Sequence, residues 1–408
     1  MKPEAGSTAG ANRFGMRTVR VLVYVAMFGL AYIVFAALLQ RGGSDLSIHA
    51  TWAAEGDFMN PRTFLRHGAH PLWHALVALV MLTGVSVKVA AALITAALKV
   101  IELFLMERLM QQYLKEEIGE ACALCAAVCC ALVMALCVPG INPTVYFGIG
   151  SANTWHSPTQ MIAMVFMLLC VPYSAKCYAD FERRLPIEGA KTILPWRNAI
   201  ALGVMLLISL VAKPTFMQAF LPAAGLFFLV QWIRHPQNSR FFGQVILVVL
   251  PSVLFMVLQY MYYFGIIVPS QGSMALQISL EKVMQVALAT LLIQAFPIWT
   301  LLSCARRKDF RSPLLTLTLL FNGVGILEFL ILGETGRRAA DGNFGWGMMG
   351  GALMFWVMML IMFLRSFAAS RREKKWKASH GIGFALLCWH LGSGIYYLVY
   401  LLTHAVNQ

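Results

Sequence analysis

Charge is what this sequence has least of. Only 12% of its 408 residues are Asp, Glu, Lys or Arg, against 59% that are apolar. Soluble domains carry about one-quarter charged residues, so a water-soluble fold is excluded. No polar stretch is long enough to build a separate soluble domain either, and residues 1–408 read as a single integral membrane domain. The cysteines show no paired CxxC or CxxH metal spacing; Cys122 and Cys125 form a lone CxxC within an apolar helix, where small buried thiols are expected. The apolar run from Val21 to Leu39 lacks a small-x-small exit before Arg41, so a retained first helix is expected rather than a cleaved secretory signal. No repeat relates the two halves of the chain.

What is present is a series of apolar runs, each near the roughly 20 residues that cross a bilayer. They fall near 21–39, 87–109, 119–139, 158–177, 196–212, 216–233, 241–263, 281–304, 313–332, 346–366 and 381–402. The expected fold is therefore an all-α polytopic membrane protein with about 11 transmembrane helices. The formal charge of +14 is distributed in short basic clusters between these runs, such as Arg13, Arg17 and Arg20, Lys176 to Arg197, Arg306 to Arg311 and Arg371 to Lys377. Alternate loops hold them, as the positive-inside rule requires. Topology thus accounts for the charge and no nucleic-acid partner is expected; the N-terminus is placed in the cytoplasm and the C-terminus outside. The segment 71–86 is too short to cross, and is expected to be re-entrant or surface-lying.

The outward loops, 40–86, 140–157, 213–215, 264–280 and 333–345, carry more polar chemistry than connections need. The first, 40–86, is the longest, and Asp45 to Asn60 is expected as an amphipathic surface helix with His49 on its water side. Asp45 and His49 are four residues apart and would share one helical face. That pair reads equally as a catalytic carboxylate with a neighbouring imidazole or as a helix start capped by Ser44 or Asp45. His70 and His74 flank Pro71, Leu72 and Trp73 and are assigned to sugar or acceptor binding; with His49, His67 and Asp45 they also leave a divalent metal open as an alternative, although no zinc-type spacing supports it. Asn153, Trp155 and His156 form a set suited to carbohydrate, an aromatic face for the ring and polar groups for hydroxyls, and read equally as an ordinary turn with an interfacial tryptophan. Lys213 lies at an outer turn, against the usual lysine bias, where a lipid phosphate would suit it. The stretch 333–347, G-E-T-G-R-R-A-A-D-G-N-F-G-W-G, supplies Arg337 and Arg338 as phosphate forks, with Glu334, Asp341 and Asn343 for sugar or acceptor hydroxyls. Glu102 and Glu328 fall inside expected spans, where an ionisable group must be paired or face a cavity.

From the first helix to about residue 180 this arrangement resembles the GT-C superfamily of polytopic membrane glycosyltransferases. The resemblance is carried by Ser44-Asp45-Leu46 after the first helix, by His70-Pro71-Leu72-Trp73-His74, by Gly84 and the second span closing near Arg108, and by the second-loop stretch from Asn153 through Trp155 and His156 to Pro158. It implies transfer of a sugar from a polyprenyl-phosphate-linked donor to a cell-envelope glycan, lipid or protein acceptor outside the cytoplasmic membrane. By position it carries the role of base over to Asp45. Many members pair two acidic groups at this point, whereas Leu46 follows Asp45 here, so a metal-free route with no cofactor is expected. The phosphate assignment of Arg337, Arg338 and Lys213 rests on their chemistry alone. Two alternatives stand beside it. A polysaccharide polymerase or ligase usually places its longest outward loop late in the chain, and a lipid or solute transporter would draw on Glu102 and Glu328.

Overall fold

The computed structural model describes residues 6–56, 70–143, 150–263, 273–304, 312–336, 342–375 and 377–404. Helices dominate them: α1 (Gly6–Arg41), α2 (Asp45–Glu55), α3 (Leu72–Met81), α4 (Val87–Ile118), α5 (Glu120–Leu132), α6 (Pro158–Glu188), α7 (Trp196–Ala212), α8 (Pro214–Arg234), α9 (Ser239–Tyr263), α10 (Leu280–Cys304), α11 (Pro313–Ile331), α12 (Gly345–Arg372) and α13 (Ala378–Thr403). Two short strands, β1 (Met274–Leu276) and β2 (Leu332–Glu334), pair antiparallel. Among the described residues nine helices are long and apolar enough to cross a membrane, so the protein is an all-α polytopic membrane protein. The other two expected spans are present as shorter apolar helices, α5 and α7. The expected re-entrant segment is α3, also short, with Trp73 and His74 turned inward.

The reason α5 stops early lies in its neighbours. From Val133 the backbone is extended, which leaves peptide N–H groups that lipid could not satisfy. Helices α10 and α13 supply the missing acceptors: Met134 N–H donates to the His390 carbonyl (3.3 Å), Leu136 N–H to the Leu292 carbonyl (2.9 Å), and Cys137 N–H to the Ser393 hydroxyl (2.9 Å). Leu292 can offer its carbonyl because α10 is kinked, with Gln294 at φ −123° and ψ 20°. Pro297, which has no N–H, leaves the carbonyl four residues back at Ile293 without its helical donor; Trp356 Nε1–H fills that place at 2.8 Å.

Helix α12 runs through the centre, packed against α4, α8, α10 and α11. Every residue from Gly347 to Phe363 is buried. Glycines permit the closest approaches. A Cβ at Gly325 of α11 would meet the Gly347 carbonyl oxygen at 2.8 Å, and one at Gly351 would meet Asn322 Cα at 2.7 Å. That contact is tied sideways by Gln294 and Asn322, whose amides exchange hydrogen bonds of 3.0 and 2.9 Å between α10 and α11.

Ion pairs fix one end of the bundle. Glu107, buried in α4, accepts from Arg20 (2.6 Å) and Tyr24 of α1, Glu120 meets Arg20 (3.2 Å) and Lys115 (2.7 Å), and Glu117 meets Arg365 of α12 (2.7 Å). At the opposite end Arg41 donates to the carbonyls of Leu401 (2.7 Å) and His404 (2.6 Å). A cation there satisfies the last carbonyls of α13 and complements its dipole. The C-terminal ends of α1 and α13 therefore lie on the same face, which is also the face of α2.

Replacing Gly351 by Ala forces backbone apart and is expected to lower unfolding stability in detergent by about 1–3 kcal/mol. Gly323→Ala, which meets nothing within 4 Å, serves as the control. Equal melting temperatures for the two variants would contradict the packing described.

Candidate active site

The R-G-G turn after α1 uses two left-handed glycines, Gly42 and Gly43 at φ 74° and 72°, and delivers Ser44 to the start of α2. Ser44 is the cap: its hydroxyl accepts from Ser47 N–H (3.2 Å), and its own N–H donates to the Ser47 hydroxyl (2.8 Å). The Asp45 carboxyl is thereby left for other work. Its Oδ1 lies 3.3 Å from His49 Nε2, one turn on, and His49 Nδ1 is 2.9 Å from His74 Nε2 on α3. The water-facing position expected for His49 is corrected here. Leu46, His49, Ala50 and Ala53 form the inward face of α2, while Ile48 and Trp52 are exposed. A membrane protein has apolar side chains on its outer surface too, so the sequence pattern marked the wrong face.

Opposite α2 is a bend between α7 and α8. Pro214 starts α8 at its first helical position and pushes Lys213 into extended backbone (φ −170°, ψ 123°). The Lys213 side chain turns inward, is buried, and lies 3.9 Å over the Trp346 ring. His156, from the segment before α6, faces the same tryptophan with ring centroids 6.2 Å apart and shares a 3.3 Å Nδ1···Oη contact with Tyr397.

The electrostatics of these groups are coupled. Burial opposes ionisation of Asp45, but the hydrogen bond and charge of His49, followed by the charge of Lys213, outweigh it and hold the carboxyl well below its usual range. Burial lowers Lys213 to about 8, with Asp45 pulling the other way. Burial takes His156 down to about 4, and it drives His70 well below its usual value, helped by His49 and Lys213. At neutral pH the site therefore holds one fixed carboxylate, one cation near its titration point, and neutral imidazoles at 70 and 156.

Beside them is a small open pocket of about 60 Å³, lined among others by His70, Lys213, Thr215, Tyr260, Glu334 and Asn343. Thr215 is buried and its hydroxyl has no hydrogen-bond partner. Gln218 donates to the Tyr260 hydroxyl, and Asn343 donates to Glu334 Oε2 at 2.7 Å. Glu334 is delivered by β2, where Gln277 lies across Gly333 and donates to the Glu334 carbonyl at 3.1 Å.

Of the expected site residues, His70, Lys213, Glu334 and Asn343 line the pocket, while Asp45, His49, His74 and His156 lie outside its lining and are joined to it through their contacts with one another and their electrostatic coupling to Lys213. Asn153 and Trp155 also lie outside the lining, and both are engaged in packing, so their expected contact with sugar is corrected. The Asn153 amide donates to the carbonyls of Cys130 (2.6 Å) and Val133 (2.8 Å), closing the end of α5. Trp155 is 1% exposed, stacked on Phe35 with Lys99 5.0 Å from its ring centre. Arg337, Arg338 and Asp341, like His67, lie outside the described residues. Glu102 is paired with Lys99 at 2.8 Å, both buried, and the backbone at Gly347 passes beside Glu328 Oε2. Among the described residues no group of three His, Cys, Asp or Glu is arranged to hold a metal ion; the close nitrogen pair of His49 and His74 is spent on each other. Sequence reasoning missed Trp346, Thr215 and Tyr260. Trp346 sat inside the glycine-rich stretch as a visible signal, whereas nothing distinguished Tyr260 from other aromatics in a span.

No protein-family model matches the chain, and no curated protein matches it either.

Lys213 should titrate near pH 8 rather than in the usual lysine range, as read by pH-resolved amine labelling and mass spectrometry. It is protonated below that pH and neutral above it. In Asp45→Asn the midpoint is expected to fall further, because the carboxylate that favours the ammonium is gone. An unchanged midpoint would show that the two groups do not sense each other.

Proposed function

We propose that the protein is a membrane glycosyltransferase that moves a sugar from a polyprenyl-phosphate-linked donor to a cell-envelope glycan, lipid or protein acceptor at the outer face of the cytoplasmic membrane. The observation that carries this reading is the electrostatic coupling of a half-buried carboxylate, Asp45, to a buried cation, Lys213, which lines a pocket together with hydroxyl, amide and carboxyl groups. A reaction that takes a proton from one oxygen and leaves negative charge on another needs a carboxylate and a cation near one site.

In this mechanism Asp45 accepts the proton of an acceptor hydroxyl as that oxygen attacks the anomeric carbon. The new C–O bond forms as the bond to the phosphate oxygen breaks on the opposite face, so configuration inverts. The bonding pair leaves with the phosphate, whose charge Lys213 neutralises, with Arg337 and Arg338 as the further cations assigned to it. Trp346 keeps the ammonium partly desolvated and so makes its interaction with phosphate stronger. Glu334 and Asn343, already joined, offer an acceptor and a donor to ring hydroxyls. His49 holds Asp45, and His70 contributes a neutral imidazole to the pocket wall. What supports the outward placement is the charge pattern of the loops together with the common face of α2 and the ends of α1 and α13.

The experiment is transfer of radiolabelled sugar by purified protein in nanodiscs, supplied with a panel of polyprenyl-phosphate sugars and extracted envelope acceptors. Asp45→Asn is expected to lose about 10²–10⁴ in kcat, and Lys213→Met about 10²–10³ in kcat/KM. Full activity in Asp45→Asn would end the assignment of the base.

A further inference from the structure

His74 takes no part in the mechanism above, yet it is 1% exposed and its Nε2 is 2.9 Å from His49 Nδ1. Hydrogen-bond bookkeeping gives this contact a direction. An ionised carboxylate only accepts, so at the 3.3 Å contact with Asp45 the proton belongs to His49 Nε2. In the neutral form of His49 that N–H is the only one, which makes Nδ1 the acceptor, and the group facing it has to donate. We propose that His74 is the positioning residue of this site: its Nε2–H holds His49 in the one tautomer that donates to Asp45.

The surroundings make the constraint specific. Besides His49 on its own helix, Asp45 is faced by Lys213 from the α7–α8 bend and by His156 from the segment before α6. His49 is faced by His70, with ring centroids 5.6 Å apart, and by His74. Without His74 the His49 ring regains its other tautomer, in which the lone pair at Nε2 points at the carboxylate and repels it. Asp45 then loses its hydrogen bond and is more easily protonated. His74 in turn is locked by its neighbour: Trp73 is fully buried and donates from Nε1 to Thr95 at 3.3 Å, fixing α3 on α4. The arrangement repeats the logic by which a third group orients the imidazole of a catalytic pair.

The inference rests on the glycosyl-transfer reading for its activity arm alone. The pH profiles of kcat and KM are measured in nanodiscs for the wild type, His74→Leu and His74→Gln. Leucine fills the space and removes the donor; glutamine keeps an amide N–H at similar reach. His74→Leu is expected to lower kcat by about 10–100-fold, the usual cost of losing an orienting partner, with KM little changed. His74→Gln should restore kcat. An unimpaired His74→Leu, or a glutamine variant as impaired as leucine, would overturn the proposal. Heteronuclear NMR of nitrogen-labelled histidines in the wild type gives an arm independent of activity and of variant folding. Protonated Nε2 with bare Nδ1 on His49 is the expected result, and the reverse tautomer sinks the idea. If the wild type transfers no sugar from any donor, the glycosyl-transfer reading fails and the NMR result alone decides the role of His74.

Discussion

Everything in this structure answers to one constraint: inside a bilayer a peptide group that leaves the helix must find its partner within the protein. The extended run after α5 is the test case. Its N–H groups find acceptors on α10 and α13, and α10 can provide one because Gln294 and Pro297 interrupt its own ladder. The carbonyl that Pro297 strands is taken by Trp356 of α12. Two local breaks that would each be costly alone thus satisfy one another. The resulting knot of α5, α10, α12 and α13 is the frame against which the segments carrying Asp45, His156 and Lys213 are set.

The same constraint explains the placement of charge. Lys99 and Glu102 are buried together and Glu107 is buried against Arg20, so in the middle and at one end of the bundle charges are matched within hydrogen-bond reach. At the other end Asp45 and Lys213 are coupled electrostatically and also engaged separately, one with His49 and one with the face of Trp346. A separated pair beside a pocket stores the opposite charges that a group transfer uses. A pair in contact, as at Lys99, has already spent them.

Much of this was legible along the chain. Apolar runs set the helices because their periodicity and length reflect the bilayer directly, and nine of eleven expected spans meet the length needed to cross. The turn at 213–215 was expected, although not that Lys213 points inward from it, and the i, i+4 spacing of Asp45 and His49 announced their contact. The face of α2 was not legible, because lipid and protein interior are equally apolar and a hydrophobic stripe does not say which it meets. Asn153 and Trp155 failed as site residues for a related reason. Amides and tryptophans serve carbohydrate and helix packing with the same chemistry, and the choice depended on whether Cys130, Val133 and Phe35 or the pocket lay within reach.

The sequence by itself determined that this chain lives in a membrane, which apolar runs become helices, and which polar residues had to be explained. Those are consequences of local composition and of short-range geometry. Only the tertiary structure decided that Ser44 rather than Asp45 caps α2, that His74 reaches His49, that Lys213 lies over Trp346, and that Lys213, Glu334 and Asn343 border one pocket. These contacts join segments far apart in the chain. Which of several available acids, imidazoles and amides meet is fixed by helix packing, through close approaches such as Gly351 on Asn322, and no local pattern encodes it.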